Sequence, residues 1–390
     1  MPTTITLALI ALYLLLTTLR LTLALRYVAA PPVLAAAPGP PPAPVSEADV
    51  TVLQAILSGD PLLEASLGQN LRHHPGARFV WLLDETDLEG RRVAARLLAA
   101  HPAAQVQVQL TPPVPQGINP KSYKLRLALP GAGPVVVVLD DDTVLPPGTL
   151  AGACVALAAT DGLATGVPYY TASRGGWSAL VAAFVNANAL ITYLPPLFFQ
   201  APVTINGMFY ATRKSTLERL GGFAAIEAEL CDDYALAQLY RRQGLPLVQT
   251  TLMHPLATTV ANLGAYLNIM RRWMVFARRL FRSSLSVPVL ALVVVPGSLP
   301  LVALAVALLG GRPVLAAAVL AALAIKALAL ALVRHRLMRS SENGRTVALE
   351  IAADLLQPLH LLHATLQPRR VQWRDKSIEV VADGLRYVGK

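Results

Sequence analysis

The sequence holds 390 residues, of which 54% are hydrophobic and 14% charged, with a formal net charge of +10. So much apolar surface does not fit inside one water-soluble body, so part of the chain is expected in lipid, and the positive charge suits an anionic bilayer surface and a phosphate-bearing substrate. Nucleic acid is not expected as a partner, because aromatics are 6% of the chain and the basic residues flank apolar segments rather than forming a stripe.

The first apolar run, residues 5–28, is long enough to cross a bilayer core of ~30 Å. Arg20 and Arg26 near its C-terminal end argue for an uncleaved anchor whose C-terminal side is cytosolic, as does the lack of a basic start typical of signal peptides. Residues 29–45 (AAPPVLAAAPGPPPAPV) read as an extended spacer, since proline fixes the backbone and removes donors. From 46 to 258 short β-rich runs (VTVLQAIL, ARFVWLLD, QVQVQL, PVVVVLD, ATGVPYY) alternate with helical stretches at 62–71 and 89–100. That alternation predicts an α/β domain with a Rossmann-like, mostly parallel sheet, whose ligand sites collect at the carboxyl ends of strands.

The segment 259–284 interleaves Arg271, Arg272, Arg278, Arg279 and Arg282 with Trp273, Phe276, Leu280 and Phe281. This basic amphipathic pattern suits the headgroup region. Two further apolar segments, 285–309 and 314–333, are joined by GGRP. Pro288, Pro296 and Pro300 are expected to kink the first or make it re-entrant. Lys326 in the second is expensive at mid-depth and is expected to face neighbouring helices. The basic run RHRLMRSSENGR places the following side in the cytosol. Residues 347–366 contain Glu350, Asp354, His360 and His363, a composition expected to lie in the interface as an amphipathic helix. The tail within 335–390 reads as a short hairpin.

The chemistry-bearing residues are acidic. Asp140, Asp141 and Asp142 follow the apolar run 135–139, and three carboxylates at the end of a buried strand repel one another unless something neutralises them. Hard oxygen ligands suit a divalent cation, Mg2+ or Mn2+, which in turn grips a diphosphate; a solvated loop or helix cap is the plainer alternative. The aspartate-rich motif of prenyl synthases does not fit, since Val144 and Leu145 stand where a further aspartate is needed. Asp232 and Asp233 open a helical pattern, DDYALAQLYRRQG, where the helix dipole alone explains acidic residues. Asp84, Glu85 and Asp87 end another strand. Cys154 and Cys231 form no disulfide framework and read as small core residues; His254 reads as a satisfied loop histidine.

Taken in order, the segments NPK (119–121), LDDDT (139–143), INGMFYATRKSTLERLGGF (205–223), CDDYALA (231–237) and Arg272-Trp273 make the chain resemble the ceramide glucosyltransferase family of inverting nucleotide-diphospho-sugar glycosyltransferases. Bacterial lipid and hopanoid-associated relatives belong to the same family. The resemblance implies a GT-A type domain held by N- and C-terminal transmembrane helices at the cytosolic face of a bacterial inner membrane. It implies a UDP-sugar donor and a membrane lipid acceptor. By the same resemblance Asp140 and Asp142 hold the metal and Asp233 is the general base. Asp84 or Glu85, Lys121, Asp140, Asp141, Arg272 and Trp273 bind the donor, and Asp232 stands on the acceptor side; Gly207 and Met208, small and adaptable, suit the lining of the acceptor entrance, though core packing explains them equally. Ile269 departs from the family pattern, which carries Gln or Arg there. The rival readings are a polysaccharide synthase, for which three clear spans are too few, and a non-catalytic membrane adaptor on the same scaffold.

Overall fold

The computed structural model describes residues 2–30, 45–171, 175–338, 340, 343–366, 370–373, 376–381 and 384–388. The expected spacer falls almost wholly outside them. In chain order the elements are α1 (Pro2–Ala29), β1 (Val50–Ala55), α2 (Leu63–His73), β2 (Arg78–Asp84), α3 (Leu88–Ala100), β3 (Gln105–Thr111) and α4 (Pro120–Ala128). Then come β4 (Val135–Leu139), α5 (Thr149–Ala159), β5 (Leu163–Tyr170), α6 (Gly176–Asn186), α7 (Ala189–Tyr193), β6 (Phe209–Arg213), α8 (Lys214–Arg219), α9 (Asp232–Arg242) and β7 (Leu247–Leu256). Four long helices follow: α10 (Leu263–Ser283), α11 (Val287–Leu309), α12 (Pro313–Met338) and α13 (Gly344–Leu366). The strands β8 (Arg370–Trp373), β9 (Lys376–Val381) and β10 (Gly384–Val388) complete the chain.

These elements form two compact units. One is built from Pro32–Pro168, Pro202–Thr259 and Arg369–Lys390, the other from Met1–Pro31, Tyr169–Ala201 and Val260–Pro368. The segment 169–201, placed by sequence within the domain over 46–258, therefore packs in the helical unit. Tyr169 and Tyr170 still end β5, whereas residues 176–186 and 189–193 are helical.

The first unit carries a seven-stranded sheet of order β3-β2-β1-β4-β6-β5-β7. β1 pairs parallel with β2 and β4, and β2 with β3. β6 runs antiparallel to β4 and β5, so the sheet is mixed but mostly parallel in its N-terminal half. Strand β4 (VVVVL) is buried along its whole length because helices cover both faces. Val135, Val137 and Leu139 point to one layer with Leu67 of α2, Leu97 of α3 and Leu157 of α5. Val136 and Val138 point to the other, with Leu125 of α4, Leu217 of α8 and Leu236 of α9. The period-two alternation of side chains thus builds two cores from one valine run. Trp81, fully buried, donates its indole N–H to Gln54 Oε1 at 3.0 Å, which satisfies the indole nitrogen and that oxygen. The tail is a three-stranded antiparallel sheet, β10-β9-β8, one strand more than the expected hairpin.

The helical unit holds four segments long and apolar enough to cross a membrane: Pro2–Ala29, Gly176–Phe198, Val287–Leu309 and Pro313–Met338. The second was not anticipated, because Asn186 and Asn188 interrupt its apolar run. Pro288 sits in the first turn of α11, where its missing N–H costs nothing, whereas Pro296 and Pro300 lie inside a helix that continues through them. In α13, which covers the segment expected to be interfacial, Glu350, Asp354 and His360 are all buried inside the helical unit. Each has a partner there. Lys326 of α12 donates to both carboxylate oxygens of Asp354, at 2.7 and 2.8 Å, as its cost in an apolar setting demanded. Arg334 pairs with Glu350, and the Tyr266 hydroxyl lies 2.7 Å from His360 Nε2. Arg20 of α1 is 3% exposed and donates to the Ile191 carbonyl and the Thr192 hydroxyl.

Candidate active site

Helix α4 organises the carboxyl ends of the strands. Asn119 caps it: its Oδ1 accepts the backbone N–H groups of Lys121 and Ser122, and Pro120 occupies the first turn. The Asn119 amide nitrogen donates in turn to the carbonyls of Glu229 and Leu230, tying the cap to the loop that leads into α9. Lys121 and Lys124 are three residues apart and so share one face of the helix.

Lys121 joins three segments remote in sequence. Its ammonium lies 2.6 Å from Asp140 Oδ1, 2.7 Å from the Gly207 carbonyl and 3.7 Å from Asp232 Oδ2. Burial pulls its pKa down, but the charges of Asp140 and Asp232 outweigh burial and hold it above the ordinary lysine range. Lys124, 3% exposed, donates to Asp84 Oδ2 at 2.9 Å and to the Ile56 carbonyl at 3.1 Å, just beyond β1. Lys124 escaped the sequence reading. Its signal was there, one helical turn beyond Lys121, but a lysine is ordinarily a solvated charge.

The acidic loop after β4 is fastened on every side. The Asp140 N–H donates to the Met208 carbonyl, and Asp141 Oδ2 accepts the Leu57 N–H at 2.7 Å. The Asp142 carboxylate accepts from the Thr258 hydroxyl at 2.6 Å and from Thr143, while its carbonyl accepts the Ala257 N–H. Burial, followed by the charges of Asp140 and Asp141, pushes the Asp142 carboxyl up to about 7. Asp232 is pushed up to about 6, by burial first; Lys121 opposes this, while Asp233 and Asp140 add to it. Negative charge here exceeds what Lys121 compensates.

That excess suits a hard divalent cation held by Asp140 and Asp142. Among the described residues no three His, Cys, Asp or Glu side chains form a ligand group. A cation on two carboxylates would draw its remaining ligands from water and substrate oxygens, as magnesium-type sites with one or two carboxylates commonly do.

Asp233 lies in the first turn of α9, and Gly207 is packed against it. A Cβ built on Gly207 would stand 3.0 Å from both Asp233 Cβ and Oδ2. Glycine at 207 therefore follows from close approach to the carboxylate, and Met208 beside it is half-buried, with its N–H donated to Asn206 Oδ1. Gly207→Ala is expected to push Asp233 aside by a few tenths of an ångström. With Asp233 as the reacting group proposed below, turnover should fall by roughly 10-fold, since small misplacements of such a group are costly. Steady-state rates compared with an unchanged thermal melt check this.

The remaining candidates have other settings. Glu85 is exposed, with its backbone N–H donated to the Thr111 carbonyl. Asp87 caps α3 by accepting the Gly90 N–H and also binds the Ser58 hydroxyl, a structural role. Of the acidic cluster after β2, Asp84 is the one that a buried cation orients. His254 stands in β7 rather than in a loop, fully buried, with Nε2 3.3 Å from Asn206 Oδ1 and no hydrogen bond at Nδ1 among the described residues. Burial pushes it down to about 3, so it stays neutral and braces the turn that carries Gly207. Arg272 and Trp273 belong to α10 of the helical unit, where the Trp273 ring lies 6.0 Å from that of Phe184. Cys154 is buried in the sheet core as expected, whereas the Cys231 thiol bonds Asp233.

The model of glycosyl transferase family 21 matches residues 3–385. No curated protein sequence matches the chain. Among solved structures, the mannosyltransferase PcManGT from Pyrobaculum calidifontis, in complex with GDP-Man and Mn2+, is 19% identical, with a TM-score of 0.51 over 93% of this chain and 99% of that one. TarS of S. aureus in complex with UDP-GlcNAc is 11% identical, with a TM-score of 0.37 over 87% of this chain and 99% of that one.

Proposed function

The chain belongs to glycosyl transferase family 21, and from that membership and the carboxylate cluster we propose that it moves a hexose, glucose from UDP-glucose, onto the hydroxyl of a membrane lipid such as ceramide. The fold is that of GT-A glycosyltransferases. The GDP-Man and Mn2+ held by a structure of this fold support a nucleotide-sugar donor and a divalent cation here. The observation that carries the reading is Lys121, whose single ammonium gathers Asp140, Gly207 and Asp232 next to Asp233. Four candidate spans support a membrane-bound acceptor.

In this reading transfer is one in-line displacement with inversion at the anomeric carbon. Asp233 accepts the proton of the acceptor hydroxyl as its oxygen bonds to the sugar. The bond between the sugar and the diphosphate oxygen breaks in the same step. Asp140 and Asp142 hold the cation, which when bound offsets charge on the departing diphosphate. Lys121 keeps Asp140 and the first turn of α9 in register, and Asp84, oriented by Lys124, and Asp141 border the donor. The catalytic unit faces the cytosol.

The test uses the purified chain with labelled nucleotide sugars, with and without chelator, followed by addition of lipid extracts and mass spectrometry of the products. Metal-dependent formation of a hexosyl lipid is expected. Asp142→Ala should weaken donor binding by at least about 10-fold, the order expected for losing a charge-assisted contact. Elongated polysaccharide in place of glycolipid, or no turnover of any nucleotide sugar, would refute the proposal.

A further inference from the structure

Cys231 directly precedes α9, yet its side chain does not cap the helix. The thiol instead donates to Asp233 Oδ1, with sulfur 2.9 Å from oxygen. The same oxygen accepts the Tyr234 N–H at 2.7 Å. Two donors on Oδ1 leave Oδ2 without a hydrogen bond among the described residues. Oδ2 is also the oxygen that lies against Gly207, where a missing side chain leaves the carboxylate approachable. Burial, then the negative charges of Asp233 and Asp232, hold the thiol well above its ordinary range. It therefore keeps its proton at neutral pH and remains a donor.

We propose that Cys231 is a positioning residue for the proton acceptor, fastening Asp233 by Oδ1 so that Oδ2 is the oxygen offered to the acceptor hydroxyl. This rests on the reading of Asp233 as base. In the reaction the acceptor O–H proton passes to Oδ2 while the new glycosidic bond forms and the diphosphate leaves. The thiol proton stays on sulfur throughout, so Cys231 is not consumed. Without the thiol, Asp233 is held by the Tyr234 N–H alone and its carboxylate turns more freely about its own side-chain bonds. A small core residue would need only volume at this position; a positioning residue needs a donor, and that difference is measurable.

The experiment compares the full chain with Cys231→Ala, Cys231→Ser, Asp233→Asn and Asp233→Ala. Turnover is read with UDP-glucose and a total membrane lipid extract, donor affinity by calorimetry, and the S–H stretching band by infrared difference against Cys231→Ala. Cys231→Ala is expected to lower kcat by about 10-fold, the order of loss for a mispositioned group. Donor KM and the thermal midpoint should stay unchanged, and serine should restore most of the rate. The S–H band should move to higher frequency in Asp233→Ala as the hydrogen bond is lost; this readout needs no substrate. Normal kcat in Cys231→Ala with Asp233→Asn inactive would overturn the positioning role and leave the base standing. An S–H band unmoved by Asp233→Ala, or equal losses in Ala and Ser with a lowered melting point, would overturn it too. Full activity of Asp233→Asn would remove the base itself.

Discussion

Asp233→Asn is expected to lower transfer by about 10²- to 10⁴-fold, the range a positioned general base contributes, while leaving donor binding intact. The side chain keeps its shape and Oδ1 can still accept from the Cys231 thiol and the Tyr234 N–H, so the first turn of α9 should not rearrange. Only the capacity to take a proton is lost. In the proposed reading donor affinity depends on Asp140 and Asp142, not on Asp233, and should change little. Single-turnover rates beside calorimetric donor titration separate the two effects. Wild-type turnover in the variant would remove the proposed mechanism; loss of donor binding would move Asp233 from the acceptor side to the donor side.

The other large effect belongs to the helical unit. Asp354→Leu leaves Lys326, 5% exposed, with no carboxylate at its ammonium. Breaking one partner of a buried ion pair costs about 3–5 kcal/mol, because the remaining charge is stranded away from water. The double replacement Lys326→Leu with Asp354→Leu removes both charges and is expected to recover most of that loss, since apolar residues of similar volume often substitute for a buried pair without penalty. Thermal midpoints of the four chains in one detergent decide the matter. Equal destabilisation in the single and double variants would mean that the pair does not couple α12 to α13.

Much of this protein was legible in its residues. The valine run before Asp140 can only be a strand covered on both faces, and the β/α alternation from Val50 onward gives the parallel half of the sheet. The carboxylates at 140–142 and 232–233, and the glycine at 207, were visible as candidates because charge and smallness are unusual at the ends of apolar elements. Three apolar spans were visible because twenty consecutive apolar residues have few other uses in a protein.

Local pattern did not reveal what each polar residue faces. Glu350, Asp354 and His360 on one helix give the same amphipathic pattern whether their partners are water, headgroups or other side chains; their burial beside Arg334, Lys326 and Tyr266 is a property of α12, α10 and α13 packed together. Lys121 and Lys124 likewise look like solvated charges until α4 sets their ammoniums against Asp140 and Asp84. Hydrophobic periodicity is written along the chain and fixes which elements form. Electrostatic pairing acts over a few ångströms between segments as remote in the chain as Lys121 and Asp232, so only the folded chain decides it.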